Sequence, residues 1–343
     1  MSLLAWKYKQ QITIDNTKID ANLSNFPIVV KLNATNFDFT RAQSTGYDIH
    51  FVDSDGITLL SYERERHDST NQLAEYWVKI PSVSSSTDTV FYIYFGNPTA
   101  SDGADTVNVW DSNYKMVQHM KDITTSTIAG STINANNRTR FADNQPIETD
   151  GVIGKAQDFD GIEDEITLPN NLMGNFTSAT VSGLFYANTI NSSGYNYFFA
   201  SQWTSPYPIM MLFWSGGYVV IDEGNPTGEP AFATAKLTVG IWTYLTFIKS
   251  GSTWSAYKNG IWIEDHTSAY YGTIDSLSVP YYLGAFGGSS RYFDGIFDEI
   301  RLSDTVRSAA WIKASDYGLR LNTLLSIGSI KSNSNSLFFL GNF

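Results

Sequence analysis

The sequence predicts an all-β protein made of two antiparallel β-sandwiches. From Trp6 onward, short apolar runs alternate with polar residues, and polar turns separate these runs at intervals of roughly ten residues, a spacing typical of sandwich strands. Aromatic residues make up 15% of the chain and charged residues only 16%. Because alternation places every second side chain on the same face of a strand, this pattern favours sheets with one buried face.

The length predicts more than one domain. A chain of 343 residues exceeds the size at which a single hydrophobic core usually stops growing. Strand-like runs fill the N-terminal part, lapse in a stretch rich in Thr, Asn and Ser, and then return. We therefore predict a first sandwich at residues 1–113, a second at residues 114–320 and a C-terminal docking tail at residues 321–343.

Two local motifs support the second sandwich. The stretch YKNGIWI places Asn259 and Gly260 between two alternating runs, which is the strongest short-range signal for a β-hairpin. The stretch SDTVRSAAWIKASDYG has apolar residues at helical spacing, with Ser303 or Asp304 as the N-cap and Gly318 as the C-cap. The second sandwich is therefore predicted to be closed by a short C-terminal helix.

The tail that follows this helix ends in SLFFLGNF. So many apolar side chains are unfavourable in water. We expect this segment to dock as a strand, either on its own protein or on a neighbour, so that the tail could hold a homo-oligomer together.

The composition excludes several partners. The 34 acidic residues exceed the 22 basic ones, and a net charge of −12 has the wrong sign for a protein that neutralises phosphates, so no nucleic acid is expected. No window is apolar enough for membrane insertion. The chain has no cysteine, which excludes disulfides and thiolate metal sites. The N-terminus has no secretory leader pattern, so export by the usual leader route is not expected.

The N-terminal half carries motifs of a known family. They are WKYKQQITIDN, NFPIVVKL, YDIHFVDSDGITLLSYERE, AEYWVKIP, TVFYIYFGNPTA and VWDSNYKMVQHM. Together they resemble the domain-of-unknown-function 2341 family of bacterial, archaeal and phage proteins. That domain commonly lies directly before a laminin-G-like domain.

The C-terminal half resembles such a laminin-G-like, concanavalin A-like jelly roll. Its motifs are GVIGKAQDFDGIEDEITLP, WTYLTFIKSGSTWSAYKNG and FDGIFDEIRLSDTVRSAAWIKASDYG. The resemblance implies a binding or structural module whose loops at one rim recognise glycans, proteins or lipids, often beside calcium. In place of the family's usual Trp followed by His, this chain has Trp242, Thr243 and Tyr244.

The resemblance also implies a candidate metal site. In similar domains the first and last strands are neighbours, so Asp160 and Asp298 are expected to approach one another. Two adjacent carboxylates favour a shared cation, which here would be calcium. The alternative is structural: Asp298 accepts backbone amides near the helix, while Asp160 and Asp294 serve the turns at Gly161 and Gly295.

Aromatic residues in loops give a candidate saccharide site. Trp203 and Tyr207 fall in a loop that contains proline, and Trp214 lies beside a Ser-Gly-Gly turn. Tyr271 and Arg291 complete the set. Flat aromatic faces beside polar side chains suit sugar rings. The same residues equally suit a protein interface, and Trp214 suits the sandwich core.

Catalysis is not expected. The acidic residues Glu163, Asp164, Glu165, Asp222 and Glu223 could pair as in a glycosidase, which needs two carboxylates flanking a cleft. However, nothing resembles the Glu-x-Asp-x-x-Glu strand of concanavalin-like hydrolases. The stretch DGIEDEI is instead interpreted as a solvated turn that leads into a strand.

Three functions follow, in order of preference. The first is a non-enzymatic virion protein, assembled in the host cytoplasm, whose jelly roll binds a host-surface glycan; a prokaryotic cell-surface adhesin is the extracellular alternative. The second is a purely structural decoration, collar or tail protein whose sandwiches and C-terminal tail contact other virion proteins or further copies of the chain. The third is a glycan hydrolase.

Overall fold

A computed structural model describes residues 3–121, 127–128, 130–139, 145–190, 194–202, 209–223, 231–232, 234–268, 272–288 and 290–333. The chain is all-β with antiparallel sheets, which confirms the predicted fold class. It divides into two units. The first contains Met1–Val109 and Asn322–Phe343, and the second contains Trp110–Leu321.

The first unit contains two antiparallel sheets. Its strands are β1 (Tyr8–Ile14), β2 (Leu23–Asn33), β3 (His50–Asp53), β4 (Leu59–Leu60), β5 (Tyr62–Asp68), β6 (Leu73–Val83) and β7 (Thr89–Phe95), followed by the helical turn α1 (Thr106–Val109). Strands β2, β6 and β5 form one sheet, and β1, β7, β3 and β4 form the other in that order. Large aromatic side chains, among them Phe26, Phe51 and Trp77, are buried in this unit.

The second unit is the larger sandwich. Its strands are β8 (Tyr114–Gln118), β9 (Thr127–Ile128), β10 (Arg138–Thr139), β11 (Ile147–Asp150), β12 (Lys155–Asp160), β13 (Ile166–Asn170), β14 (Ser178–Ala187), β15 (Asn196–Ser201), β16 (Ile209–Trp214), β17 (Tyr218–Glu223), β18 (Ala231–Phe232), β19 (Thr243–Ser250), β20 (Thr253–Lys258), β21 (Ile261–Thr267), β22 (Pro280–Leu283) and β23 (Asp294–Ser303). One sheet, here the β16 sheet, has the order β18-β17-β16-β15-β22-β13-β10-β9. The other, the β23 sheet, has the order β11-β12-β23-β14-β19-β20-β21, with β8 also paired to β23.

The two sheets enclose the core of the second unit. On β16, alternate residues Ile209, Met211 and Phe213 belong to this core. Because side chains alternate between faces, the intervening residues Met210, Leu212 and Trp214 point to the outer face of the β16 sheet. Met210 and Leu212 join a separate small cluster there. The outer face of this sheet is therefore partly apolar and carries the residues discussed below.

A short helix follows the last strand of the sandwich. Helix α2 spans Ala309–Asp316, and the side chain of Ser308 caps it by accepting the backbone N–H of Trp311. The predicted caps were wrong, because Ser303 ends β23 and Gly318 lies within a π-helical turn, Tyr317–Leu321. No helix in the described ranges is long and apolar enough to cross a membrane.

The chain returns to the first unit at its C-terminus. Strands β24 (Leu325–Ile327) and β25 (Lys331–Ser332) pair antiparallel with β1. The segment predicted as a separate tail is therefore part of the first unit. The apolar end SLFFLGNF lies outside the described residues, so its docking stays a prediction. The first boundary falls between Val109 and Trp110, a little before the predicted position, because Trp110 packs against Tyr114 with ring centroids 5.2 Å apart.

Candidate functional site

Several strand ends of the second unit meet at one end of the sandwich, which we call the rim. It comprises residues 160–165, 188–190, 194–196, 214–218, 284–288 and 290–294. On the β23 sheet, β12 ends where β23 begins, and Asp160 is the register partner of Asp294. On the β16 sheet, the hairpin between β16 and β17 and the start of β15 reach the same end. The antiparallel register thus brings loops from distant parts of the sequence together.

Three aromatic side chains cluster on the outer face of the rim, where the ring of Tyr197 is buried and tilted by 47° from that of Tyr195. The rings of Trp214 and Tyr195 are nearly parallel, at 15° with centroids 6.1 Å apart, and Tyr197 follows at 6.3 Å from Tyr195. The register explains this stacking. Asn196 pairs with Phe213, so their neighbours Tyr195 and Trp214 lie opposite one another on the two strands. Trp214 is 43% exposed. We call Trp214, Tyr195 and Tyr197 the aromatic platform.

Arg291 supports this platform from the side. Its guanidinium lies 4.9 Å from the ring centroid of Tyr195 and 5.3 Å from that of Phe286, and Nη1 donates to the hydroxyl of Tyr197 at 2.9 Å. The backbone of Arg291 has a φ of +56°, in the left-handed region that a residue with a side chain adopts at a cost of about 1 kcal/mol. The loop therefore holds this cation in place at some cost in backbone strain.

Two connected clefts lie beside the platform. The first, the polar cleft, measures about 380 Å³ and is lined by Asp160, Gly161, Thr189, Tyr195, Asn196, Arg291, Tyr292 and Asp294. The second, the acidic cleft, measures about 590 Å³ and is lined by Gln145, Ile147, Asp158, Asp160, Glu163, Asp164, Asn188 and Asp294. Both volumes fall in the range of small-molecule sites. Asp160 and Asp294 are shared, so the two clefts are contiguous.

The carboxylates of the acidic cleft influence one another. Burial raises the pKa of Asp164 to about 6, and the nearby charges of Asp160 and Glu163 act in the same direction. Burial also raises the pKa of Asp158, with a further contribution from Asp294. The cleft is therefore electronegative, and part of its charge titrates close to neutral pH.

Glu165 lies at the same rim, at the start of β13. Its side chain is only 7% exposed, and burial raises its pKa to about 7. The interpretation of DGIEDEI as a solvated turn was therefore wrong for Asp164 and Glu165, because both are buried. Sequence alone gives no signal for this burial, since it depends on the loop after β22.

The structure brings together two of the five residues predicted to bind a ligand. Trp214 and Arg291 both contact Tyr195. Trp203, Tyr207 and Tyr271 lie outside the described residues.

The predicted pairing of Asp160 with Asp298 was wrong. The register sets Asp160 opposite Asp294, whereas Asp298 is four residues further along β23, which at about 3.4 Å per residue is roughly 13 Å away. Asp298 is buried, and Oδ2 accepts the backbone N–H groups of Val152 at 2.8 Å and Ile153 at 3.0 Å. Asp298 therefore satisfies backbone amides, as in the structural alternative, but these amides belong to the turn before β12 and not to the helix entry.

Sequence reasoning missed Tyr195, Tyr197 and Asn196. All three lie in the run YNYFFASQW, whose aromatic-rich pattern by itself predicts only a strand. Their role depends on pairing with the end of β16 and with the loop before β23, where Asn196 donates to the carbonyl of Tyr292 at 2.9 Å. One usable signal for this site was present in the sequence. Tyr195 comes one residue before β15, and Trp214 is the last residue of β16, the next strand in the chain.

The geometry is that of a concanavalin A-like sandwich with a polar and aromatic rim. Residues 160–313 match the Concanavalin A-like lectin/glucanases superfamily, and residues 45–131 match a domain of unknown function, DUF2341. These matches have the predicted identity and order, and they confirm the resemblance inferred from the motifs. A search of curated proteins finds no significant match.

Several solved structures align with part of this chain, all at TM-scores below 0.5. Domain 4 of the extracellular arabinanase AbnA from Geobacillus stearothermophilus, in complex with arabinotriose, is 19% identical at a TM-score of 0.47 and covers 59% of this chain and 97% of its own. The binding domain of Paraclostridial Mosquitocidal Protein 1 is 14% identical at a TM-score of 0.46, and the match covers 59% of this chain and 51% of that domain's chain. Trypanosoma rangeli sialidase in complex with sialic acid is 8% identical at a TM-score of 0.48, and the match covers 77% of this chain and 43% of the sialidase chain.

Proposed function

We propose that the rim of the second unit binds carbohydrate without catalysing a reaction. The observation that carries this proposal is the exposed Trp214 stacked on Tyr195 directly beside the polar cleft. An aromatic face contacts the apolar C–H groups of a sugar ring, and neighbouring polar side chains hydrogen-bond to its hydroxyl groups. The rim offers both kinds of contact within one continuous surface.

The polar cleft supplies hydrogen-bonding groups of both kinds. Asp160 and Asp294 offer acceptors, while Arg291 and Asn196 carry donors. Part of this capacity is already used, because Asp294 accepts the hydroxyl of Thr189 at 2.6 Å and Arg291 donates to Tyr197. The side chains are therefore held in fixed positions before a ligand arrives, which lowers the entropic cost of binding.

The charge of the rim favours an uncharged glycan. The acidic cleft is lined by five carboxyl groups and no basic residue. A sugar that carries carboxylate or sulfate would be repelled by these groups. We therefore propose neutral hexoses or N-acetylhexosamines as the ligand class.

Calcium stays a prediction, with a changed ligand set. Asp298 is occupied by backbone amides, so the carboxylates that could share a cation at the rim are those of Asp160 and Asp294. Carboxylate oxygens are the ligands that calcium prefers. A calcium requirement would appear as loss of glycan binding in excess chelator.

The biological setting also stays a prediction. A host-attachment role in a virion, or adhesion from a prokaryotic cell surface, is consistent with a glycan-binding rim. A purely structural role is favoured instead if the rim binds no glycan and the C-terminal segment mediates association between copies of the chain. The pairing of Leu325–Ile327 with β1 of its own chain supports this alternative, since strand addition at a sheet edge is also a common way for chains to associate.

The test is a screen of the full chain on an array of neutral and anionic glycans, with calcium and then with chelator. The variant Trp214→Ala removes the exposed face of the platform and is expected to lower affinity by at least tenfold, as is usual for a central aromatic contact. The matched control is Trp262→Ala, because Trp262 is similarly exposed at 52% but lies on β21 of the opposite sheet.

Each result decides between the candidate functions. Binding of neutral glycans that Trp214→Ala abolishes and Trp262→Ala preserves supports the rim site. Equal loss in both variants would indicate a different surface. Absence of binding by the unmodified chain would exclude the proposed function and favour the structural role.

A further inference from the structure

Glu165 is a buried carboxyl group with no hydrogen-bonding partner among the described residues. Its Oε2 atom is enclosed and unpaired. A buried polar group without a partner costs free energy, and each such group in a native protein calls for an explanation. The packing of β13 does not explain why Glu165 is buried, because the neighbouring Ile166 already fixes this strand in the core.

The surroundings of Glu165 leave one side open to a ligand. A Cβ added to Gly288 would lie 2.7 Å from Oε2, so the glycine backbone covers that oxygen. The same added Cβ would lie 2.7 Å from Cε1 of Tyr282, which forms the neighbouring wall. Oε1 is not enclosed in this way and the residue is 7% exposed, so Oε1 is the oxygen that a ligand can reach.

Glu165 also lies close enough to the polar cleft to influence a residue of its wall. Burial, and after it the charge of Glu165, raises the pKa of both Tyr282 and Tyr292, so the carboxyl group lies close to both phenols. Tyr292 lines the polar cleft. Glu165 is thus next to the wall of the proposed saccharide site, on the outer face of the same sheet as Trp214.

Within the described residues, no cation balances this carboxyl group. The titratable groups that its charge influences in the described part of the chain are Tyr282 from β22 and Tyr292 from the loop before β23. Without a basic partner, burial favours the neutral acid. A neutral carboxylic acid donates one hydrogen bond and accepts others, which matches a sugar hydroxyl.

We propose that Glu165 is a specificity-determining residue of the rim, where its neutral carboxylic acid donates a hydrogen bond through Oε1 to a hydroxyl oxygen of an uncharged sugar. This inference rests on the proposed carbohydrate binding. It goes further in naming a residue outside the aromatic platform and both clefts, and in fixing the protonation state in which that residue acts. Recognition by a buried group is selective, because a ligand without the matching hydroxyl leaves the group unpaired.

The test compares three variants of the full chain on a panel of neutral gluco-, galacto- and N-acetylglucosamine oligosaccharides. Glu165→Gln keeps the shape and a donor without a charge, Glu165→Ala removes both, and Glu163→Gln is the control in the same loop. Binding is measured by calorimetry from pH 6 to pH 8.5. A tryptophan fluorescence melt of each variant shows that it is folded.

The pH profile gives a readout that a structural role would not change. The affinity of the unmodified chain is expected to fall about tenfold for each pH unit above the pKa, because only the protonated fraction binds. Glu165→Gln should bind with a flat profile above pH 7, Glu165→Ala should lose at least tenfold at pH 6, and Glu163→Gln should follow the unmodified chain. Asp164 titrates near pH 6, so the range above pH 7 isolates Glu165.

The outcomes separate this inference from the proposed function. Oligosaccharide binding that is unchanged in Glu165→Gln and Glu165→Ala at every pH overturns the role of Glu165 and leaves the saccharide site standing. Affinity that rises with pH also overturns it, because the ionised form would then be the binding form. Release of reducing sugar ends, lost in Glu165→Gln, would replace it with acid catalysis. Absence of binding by the unmodified chain overturns both proposals.

Discussion

The two ends of the second unit each bury a glutamate, and they treat it in opposite ways. At the end opposite the rim, Glu223 is 6% exposed and is fully engaged. It accepts Nζ of Lys249 at 2.8 Å on both oxygens, Nε1 of Trp254 at 2.6 Å and the backbone N–H of Gly272 at 3.2 Å. At the rim, Glu165 is 7% exposed and has no hydrogen-bonding partner in the described chain.

The difference separates a structural carboxylate from a candidate functional one. Equal burial gives the two glutamates a similar desolvation cost, and only the Glu223 end offsets this cost, with a cation and two further hydrogen-bond donors. A buried group that the fold leaves unsatisfied is where binding energy for a ligand can be gained. The comparison yields three tests, given in order of decreasing effect.

The largest expected effect is at the satisfied end. Lys249→Met removes the cation and leaves Glu223 buried without a counter-charge, so we expect a loss of about 3–5 kcal/mol in the free energy of unfolding. Urea denaturation followed by tryptophan fluorescence measures this change. Lys155→Met is the control, because its ion pair with Asp150 is exposed and contributes less than about 1 kcal/mol. Equal effects in both variants would contradict the structural role of the Glu223 cluster.

A smaller loss is expected where Asp298 supports the turn before β12. Asp298→Ala leaves the amides of Val152 and Ile153 without an acceptor, which we expect to cost about 1–3 kcal/mol. Asp160→Ala changes an exposed carboxylate that accepts one amide, that of Ile162, and should cost less than about 1 kcal/mol. Both variants are also measured with calcium. The structural assignment of Asp298 would fail if calcium stabilised the unmodified chain and Asp160→Ala against urea but did not stabilise Asp298→Ala.

The smallest effect depends on pH and concerns Glu165. Its pKa rises from 4.5 in the unfolded chain to about 7 in the folded chain, so the neutral form stabilises the fold below pH 4.5 and this contribution is lost as pH rises through 7. Glu165→Gln does not titrate. We therefore expect the free energy of unfolding of Glu165→Gln, relative to that of the unmodified chain, to increase by about 1–2 kcal/mol between pH 5 and pH 8.

Urea titrations of both proteins across this range provide the measurement, with Glu163→Gln as the control. A difference between Glu165→Gln and the unmodified chain that does not change with pH would show that Glu165 is ionised or solvated in the fold. Its contrast with Glu223 would then disappear.

Local patterns were sufficient for elements whose structure depends on a few adjacent residues. The hairpin at Asn259 and Gly260 is one example, because both residues have positive φ, at 53° and 77°, as the turn requires. The helix after β23 was also found, although its cap was misplaced. Ser303, Asp304 and Ser308 are all able to cap a helix, and only the length of β23 determines which of them is free to do so.

The site was less accessible from sequence. Trp214 and Arg291 were recognised from residue type, since exposed aromatic and basic side chains in loops suit a ligand. Tyr195 and Glu165 were not, because their positions depend on cross-strand register and on a loop that folds over the sheet. A shift of one residue in register would move the Tyr195 side chain to the opposite face.

The sequence by itself determined the class of the fold, the order of the two domain types and the exclusion of thiolate chemistry, since alternation, turn motifs and composition are local properties of the chain. Only the tertiary structure decided that Asp160 meets Asp294 instead of Asp298, that the C-terminal strands complete the first unit, and that Glu165 is buried without a partner. These outcomes depend on which distant strands pair and in which register. That choice is made by the total burial of both sheets, and no short stretch of sequence contains it.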